Sequence, residues 1–180
     1  MADAIEMLRE DHRKVQELFE QFENAQDNKE KRQIAETALH EIEIHTTLEE
    51  EIFYPAAREE IAEEEMDKAE EEHHLVELLA SELEKAGPQD KRFSAKFKVL
   101  AESVKHHIEE EESTLIPQIE DSLDAAKLGE RMAERKEELL RQTGDRSSRN
   151  KRKRSTAIRV TGKRSTGRKK TQRRSRAAHR

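Results

Sequence analysis

Residues 45–55 read HTTLEEEIFYP, and residues 107–117 read HIEEEESTLIP. Each stretch opens on a histidine, places a glutamate four positions on and reaches a proline ten positions on. His45 and Glu49, like His107 and Glu111, therefore lie one turn apart on one helix face. Upstream, His12 precedes His45 by 33 residues and His73 precedes His107 by 34. His12 and His73 each follow an acidic residue and precede a valine three positions on. The chain thus carries one device twice: a helical hairpin offering His, then His-x3-Glu. Two such hairpins packed about a pseudo-twofold axis would bring His12, His45, Glu49, His73, His107 and Glu111 to one place.

The surroundings of these stretches have helical periodicity, with apolar steps of three and four. One stripe runs Ile5, Leu8, His12, Val15, Phe19, Phe22; a second runs Ile34, Ala38, Ile42, His45, Glu49, Ile52. A third runs Met66, Ala69, His73, Val76, Ala80, Leu83, and a fourth Phe93, Phe97, Leu100, Val104, His107, Glu111. Turns are expected at Asn24 to Asn28, around Ile61 to Glu64, and at Ala86-Gly87-Pro88, where glycine then proline terminates a helix. Pro117 is expected to end or kink the fourth helix. A shorter fifth helix is expected from about Ser122 to Arg141. The fold class is all-α: an up-down-up-down four-helix bundle plus a short fifth helix and a tail.

The 180 residues contain 35 Lys and Arg against 41 Asp and Glu, a net charge of −6. That figure is a cancellation. The last acidic residue is Asp145, and residues 146–180 hold 16 basic residues and no acidic one. The body to residue 145 then carries −22. Two parts are expected: a metal-binding bundle over 1–143 and a basic tail over 144–180. The tail has no aromatic and only two large apolar residues, Ile158 and Val160, so it is expected to be disordered when alone. Its basic residues Lys151, Arg152, Lys153, Arg154, Lys163, Arg164, Arg168, Lys169, Lys170, Arg173 and Arg174 suit sequence-independent contact with DNA or RNA phosphates. Folding back over the acidic body is the rival reading. Without aromatics, stacking on bases is not expected.

Cysteine is absent, which removes disulfides, zinc ribbons, iron–sulfur clusters and thiol nucleophiles. No apolar run approaches the roughly 20 residues of a membrane span. The N-terminal MADAIEMLREDHRK lacks the apolar core of a secretory leader, so a cytoplasmic protein with no membrane partner is expected, associated with the nucleoid if the tail binds DNA.

The six polar interruptions of the core stripes need one explanation, because burying a histidine or carboxylate without a partner is costly. A metal site supplies it. Two six-coordinate ions offer about twelve positions. Four imidazoles, two bridging carboxylates and an oxo or hydroxo bridge leave about two positions for a small ligand. Imidazole and carboxylate without thiolate suit two non-haem iron ions, with manganese or zinc as alternatives. A ferritin-like carboxylate oxidase would need Glu-x-x-His on two helices. Glu70 and His73 supply it once, but Ser103 and Val104 occupy the places where a second glutamate would stand.

With REDHRKV, HTTLEEEIFYP, EEEHHLVELL and HHIEEEESTLIP around the six residues, the chain resembles the hemerythrin-like, or HHE cation-binding, family over roughly residues 1–140. The resemblance implies a bundle around a diiron centre that binds O2, NO or peroxide. Oxygen carriers of that family have a further histidine where this chain has Glu77, which shifts the expectation toward sensing, iron or redox handling, or stress protection. A diiron enzyme that breaks down peroxide or reduces NO, and a metal-free structural bundle, are the alternatives. His74 and His106 are read as surface or supporting groups. Glu50, Glu51, Glu109, Glu110 and Glu112 are read as a solvated face, with an extra ligand from among them as the alternative, and Tyr54 as packing rather than redox chemistry.

Overall fold

The computed structural model describes residues 3–86 and 90–142. The Gly87-Pro88 part of the third turn, the boundary at 143/144 and the basic tail with its eleven candidate residues lie outside the described residues.

Helix α1 spans Ala4–Asn24 and α2 Asn28–Leu48. A π-helical turn, Glu49–Phe53, and a single α turn, α3 (Tyr54–Ala57), prolong α2 as one rod. Helix α4 spans Glu63–Lys85 and α5 Phe93–Glu110, prolonged in the same way by a π turn, Glu111–Leu115, and α6 (Ile116–Ile119). A last helix, α7, covers residues 125–142, of which the part up to Leu139 belongs to the bundle's compact unit. Among the described residues there is no strand.

Local chemistry sets these boundaries. Asp3 caps α1 by accepting from the Glu6 N–H at 3.1 Å. Asp27 caps α2 by accepting from the Lys29 and Glu30 N–H groups, each at 2.8 Å, satisfying two of the donors every helix start leaves open. Helix α4 has no side-chain cap, but Glu63, Glu64 and Glu65 place negative charge against its N-terminal dipole. Asp124 caps α7 through Lys127, so this helix starts three residues later than the apolar pattern suggested.

Helix α1 packs along α2 and α4 along α5, and α2–α4 and α1–α5 contacts close the ring. Short connections make successive helices antiparallel, which is the expected up-down-up-down bundle. Its core is split in two. One apolar cluster gathers Leu8, Leu48, Phe53, Met66 and Ile116 with Leu128 and Met132 of α7. The other gathers Val15, Phe19, Phe22, Phe97 and Leu100. Between them, along the axis, lies a layer of buried polar groups: His12, His45, Glu49, His73, His107 and Glu111.

The prolines do not end the rods. In each π turn the donor is displaced by one residue: the Tyr54 N–H donates to the Glu49 carbonyl, and the Ile116 N–H to that of Glu111. Pro55 and Pro117 then sit in the first turn of the α segments that follow, where a missing N–H costs nothing. The widened turn absorbs each proline, so of the end or kink expected at Pro117 the end does not occur: the rod continues through a bulge to Ile119.

Candidate metal centre

Each helix delivers one imidazole to the polar layer, and the two rods add one carboxylate each at the first residue of their π turns. The Nε2 atoms face inward. His12 Nε2 lies 3.2 Å from His45 Nε2, and His73 Nε2 lies 3.1 Å from His107 Nε2. Glu49 stands between the pairs, with Oε1 3.1 Å from His45 Nε2 and Oε2 3.2 Å from His73 Nε2. Glu111 places Oε2 3.1 Å from His12 Nε2. Two groups result: His12, His45, Glu49 and Glu111, and Glu49, His73 and His107.

The imidazole–carboxylate separations are short, yet they are not directed as hydrogen bonds. Both carboxylate oxygens of Glu49 and of Glu111 are buried with no hydrogen-bond partner. Four orphaned carboxylate oxygens in one layer would be a severe penalty for a structural core. Atoms around a common cation satisfy both facts. Two donors about 2.1 Å from one ion and at right angles to each other are about 3.0 Å apart. The donor set therefore fits metal ions, and it is nitrogen and oxygen only.

Electrostatics within the protein points the same way. Burial pushes His12 and His73 down, but adjacent carboxylates override it. Glu111, Glu49 and Glu112 raise His12 to about 9, and Glu49 and Glu50 raise His73 to about 9. Burial likewise disfavours ionised Glu49, but His45 and His73 hold it well below the usual carboxylate range. Glu111, buried and close to Glu49, is raised. Protons on imidazole thus hold the Glu49 carboxylate in the place where a cation would.

A ring of outer carboxylates fixes the imidazoles through Nδ1. Glu112 accepts from His12 at 2.7 Å, Glu50 from His73 at 2.9 Å and Glu72 from His107 at 3.0 Å. Asp11 approaches His45 Nδ1 to only 3.9 Å, because Lys136 of α7 holds the Asp11 carboxylate, at 2.7 Å from Oδ2. The internal repeat is visible here. Glu50 and Glu112 each follow the inner glutamate and orient the imidazole of the opposite hairpin. Asp11 and Glu72 each precede the first histidine and face the second histidine of their own hairpin.

Two readings of the sequence are corrected. Glu50 and Glu112 are not merely solvated; their carboxylates hold His73 and His12. The one-residue advance from inner to outer glutamate in both repeats was the available signal. Tyr54 is not simple packing: its hydroxyl lies 3.2 Å from His73 Nε2 and 3.5 Å from His107 Nε2. Burial first, then the charges of Glu49 and Glu111, push the phenol far above its ordinary range. At 100° per residue Tyr54 would stand about 140° round the helix from Glu49. The π turn brings it back beneath that glutamate. Ile116 holds the equivalent position in the second rod, so only one half of the centre has a phenol.

His74 and His106 are exposed, unlike their buried neighbours His73 and His107. His40 faces Glu43, at 3.9 Å, away from the centre. Glu51 pairs with Arg135 and Glu110 with Lys68, and Glu109 is exposed. On the side of the second apolar cluster, Val15, Ile42, Val76 and Val104 enclose a void of about 20 Å³ against the four imidazoles. Among the described residues no helix is long and apolar enough to cross a membrane.

A family profile described as the hemerythrin HHE cation binding domain matches residues 3–119. A crystal structure of a hemerythrin HHE cation binding domain-containing protein from Mycobacterium kansasii is similar with a TM-score of 0.67 and 28% identity, over 77% of this chain and 88% of that one. A protein of Nostoc sp. (strain PCC 7120 / SAG 25.82 / UTEX 2576) named DNA nickase is 26% identical over 120 residues. The match covers 67% of this chain but only 34% of that relative's length, about a third.

Proposed function

The chain belongs to the hemerythrin HHE cation-binding domain family, and from that premise we propose that it holds two non-haem iron ions and binds a small ligand of the O2, NO or peroxide class. The observation that carries this reading is the layer of four unpartnered carboxylate oxygens ringed by four inward-facing imidazole Nε2 atoms. His12 and His45 would hold one ion, His73 and His107 the other, with Glu49 and Glu111 between them. Bound iron supplies reversible electron transfer to ligands of this class.

The protein's own residues define the rest. Glu112, Glu50 and Glu72 keep the imidazole Nδ1 protons, so that Nε2 stays free to coordinate. The apolar void beside the imidazoles exceeds the roughly 10–15 Å³ one water needs, so a diatomic ligand fits while few polar groups reach it. The Tyr54 hydroxyl, 3.2 Å from His73 Nε2, would face the ion held by His73 and His107. That phenol favours a second reading, turnover of peroxide, because a hydrogen-bond donor for a bound oxygen ligand is already in place. Reduced, iron-loaded protein distinguishes these. An absorption spectrum that changes and persists with O2 or NO marks binding; peroxide consumption without accumulation marks catalysis. Protein that folds normally and takes up no iron sinks both.

The basic tail, in this reading, holds the centre near nucleic acid by phosphate contact, keeping it cytoplasmic and associated with the nucleoid. The charge of residues 146–180 and the similarity to a protein named DNA nickase support it.

A further inference from the structure

The two hairpins match at the centre but not at the flank beside it. Next to the second hairpin, Glu72, His106 and Glu110 bring one ligand atom each within 4.8 Å of one another. His106 Nε2 lies 3.4 Å from Glu110 Oε1 and 3.9 Å from Glu72 Oε1. Lys68 lies across the cluster, ion-paired with Glu110 and 3.7 Å from Glu72. Shifted by the internal repeat, the positions of Lys68, His106 and Glu110 fall on Met7, Ile44 and Leu48 in the first hairpin. Ile44 and Leu48 belong to the apolar cluster shared with Leu128 and Met132 of α7, and Met7 packs against it. One flank of the centre is thus sealed by apolar packing, and its counterpart is an exposed polar notch.

The notch has depth. A cavity of about 230 Å³ is lined by Glu65, Lys68, Glu72 and Glu110, and on its inner side by His107 and Glu111. Glu111 is fully buried, and both its carboxylate oxygens lack a hydrogen-bond partner. Glu72 spans the two ends: one oxygen faces His106, and the other accepts from His107 Nδ1 at 3.0 Å. Six waters at about 30 Å³ each occupy about 180 Å³, so the cavity admits a hydrated divalent ion.

We propose that Glu72, His106 and Glu110 form a docking position where Fe2+ pauses before passing through this cavity to the buried centre, with Lys68 as the gate that the arriving ion displaces. This rests on the metal-binding reading above. Carboxylate and imidazole are the right donors for the ion. An exposed lysine pair is weak and readily exchanged. The acidic mouth on a body of strong negative charge raises the local cation concentration and the rate of encounter.

The test is anaerobic Fe2+ uptake by metal-free, full-length protein, measured as rate and as final iron content. The pair His106→Ala with Glu110→Gln is expected to load about tenfold more slowly and to reach the wild-type content. Lys68→Ala is expected to load faster, and Glu109→Gln, an exposed neighbour, at the wild-type rate. Unchanged rates in the first two variants overturn the route. A final content that falls together with the rate also overturns it, since the notch would then belong to the centre itself. Wild-type protein that binds no iron overturns both this inference and the function it rests on.

Discussion

Glu50 and Glu112 illustrate how little separates a solvated glutamate from one that orients the centre. Each reaches past its own rod to an imidazole Nδ1 of the opposite hairpin, at 2.9 and 2.7 Å. Outer carboxylates of this kind typically govern metal affinity by about 10–100-fold. Glu50→Ala and Glu112→Ala should therefore each lower iron affinity by about that factor in competition with a chelator, while Glu109→Ala leaves it unchanged. Tyr54→Phe should leave folding intact, since the ring stays buried, and should alter the visible spectrum of the iron-loaded protein; an unaltered spectrum would place the phenol outside the coordination sphere. The convergence of the six inner residues was legible in the sequence because a buried polar group on an apolar stripe stands out at a period of 3.6. Tyr54, Glu50 and Glu112 were not. Tyr54 returns to the centre only through a π turn, and the two glutamates lie among exposed acidic neighbours of identical type.

At the level of elements, the helices were legible and their irregularities were not. Periodicity finds α1, α2, α4 and α5, because each buries one stripe. It does not show that α2 and α5 gain an extra residue directly after Glu49 and Glu111. Proline at the same offset in both repeats was the signal, and it reads equally well as a stop. Deleting Ser113 would close the second π turn to an α turn; Leu115, Ile116 and Ile119 would stay on the core face, but the Pro117 ring would then clash with the Glu112 carbonyl, as a proline in a helix interior does. A marked loss of thermal stability is expected, whereas Pro117→Ala, which only restores a donor, should be tolerated. The start of α2 allows a pH test. The Glu30 and Lys29 amides hold the Asp27 carboxyl below its usual range. A depressed folded-state value means that its contribution is present above the ordinary aspartate value and is lost as pH falls through the folded one. Asp27→Ala should lower Tm at neutral pH, and the difference from wild type should shrink toward zero in acid.

For the whole molecule, the segregation of charge was readable from the sequence, and it assigns separate tests to the two parts. Full-length protein should bind duplex DNA with an affinity that falls steeply with salt, and a chain ending at residue 142 should not. Equal binding by the shortened chain would place the nucleic-acid contact on the bundle. The bundle itself is held by two apolar clusters with the polar layer between them. Leu100, fully buried in one of them, should cost about 2–5 kcal/mol on replacement by alanine, measured by denaturant unfolding. That divided core also governs how the molecule comes apart. A continuous apolar core transmits loss of packing from end to end, and melting is then all-or-none. Here the transmission must cross a layer of charges and protons, so each end can open as a unit of its own. A metal pair bonded to all four helices would rivet the halves together. In calorimetry, the loaded protein should melt as one cooperative unit, and the chelated protein in a broader transition whose calorimetric enthalpy exceeds its van't Hoff value.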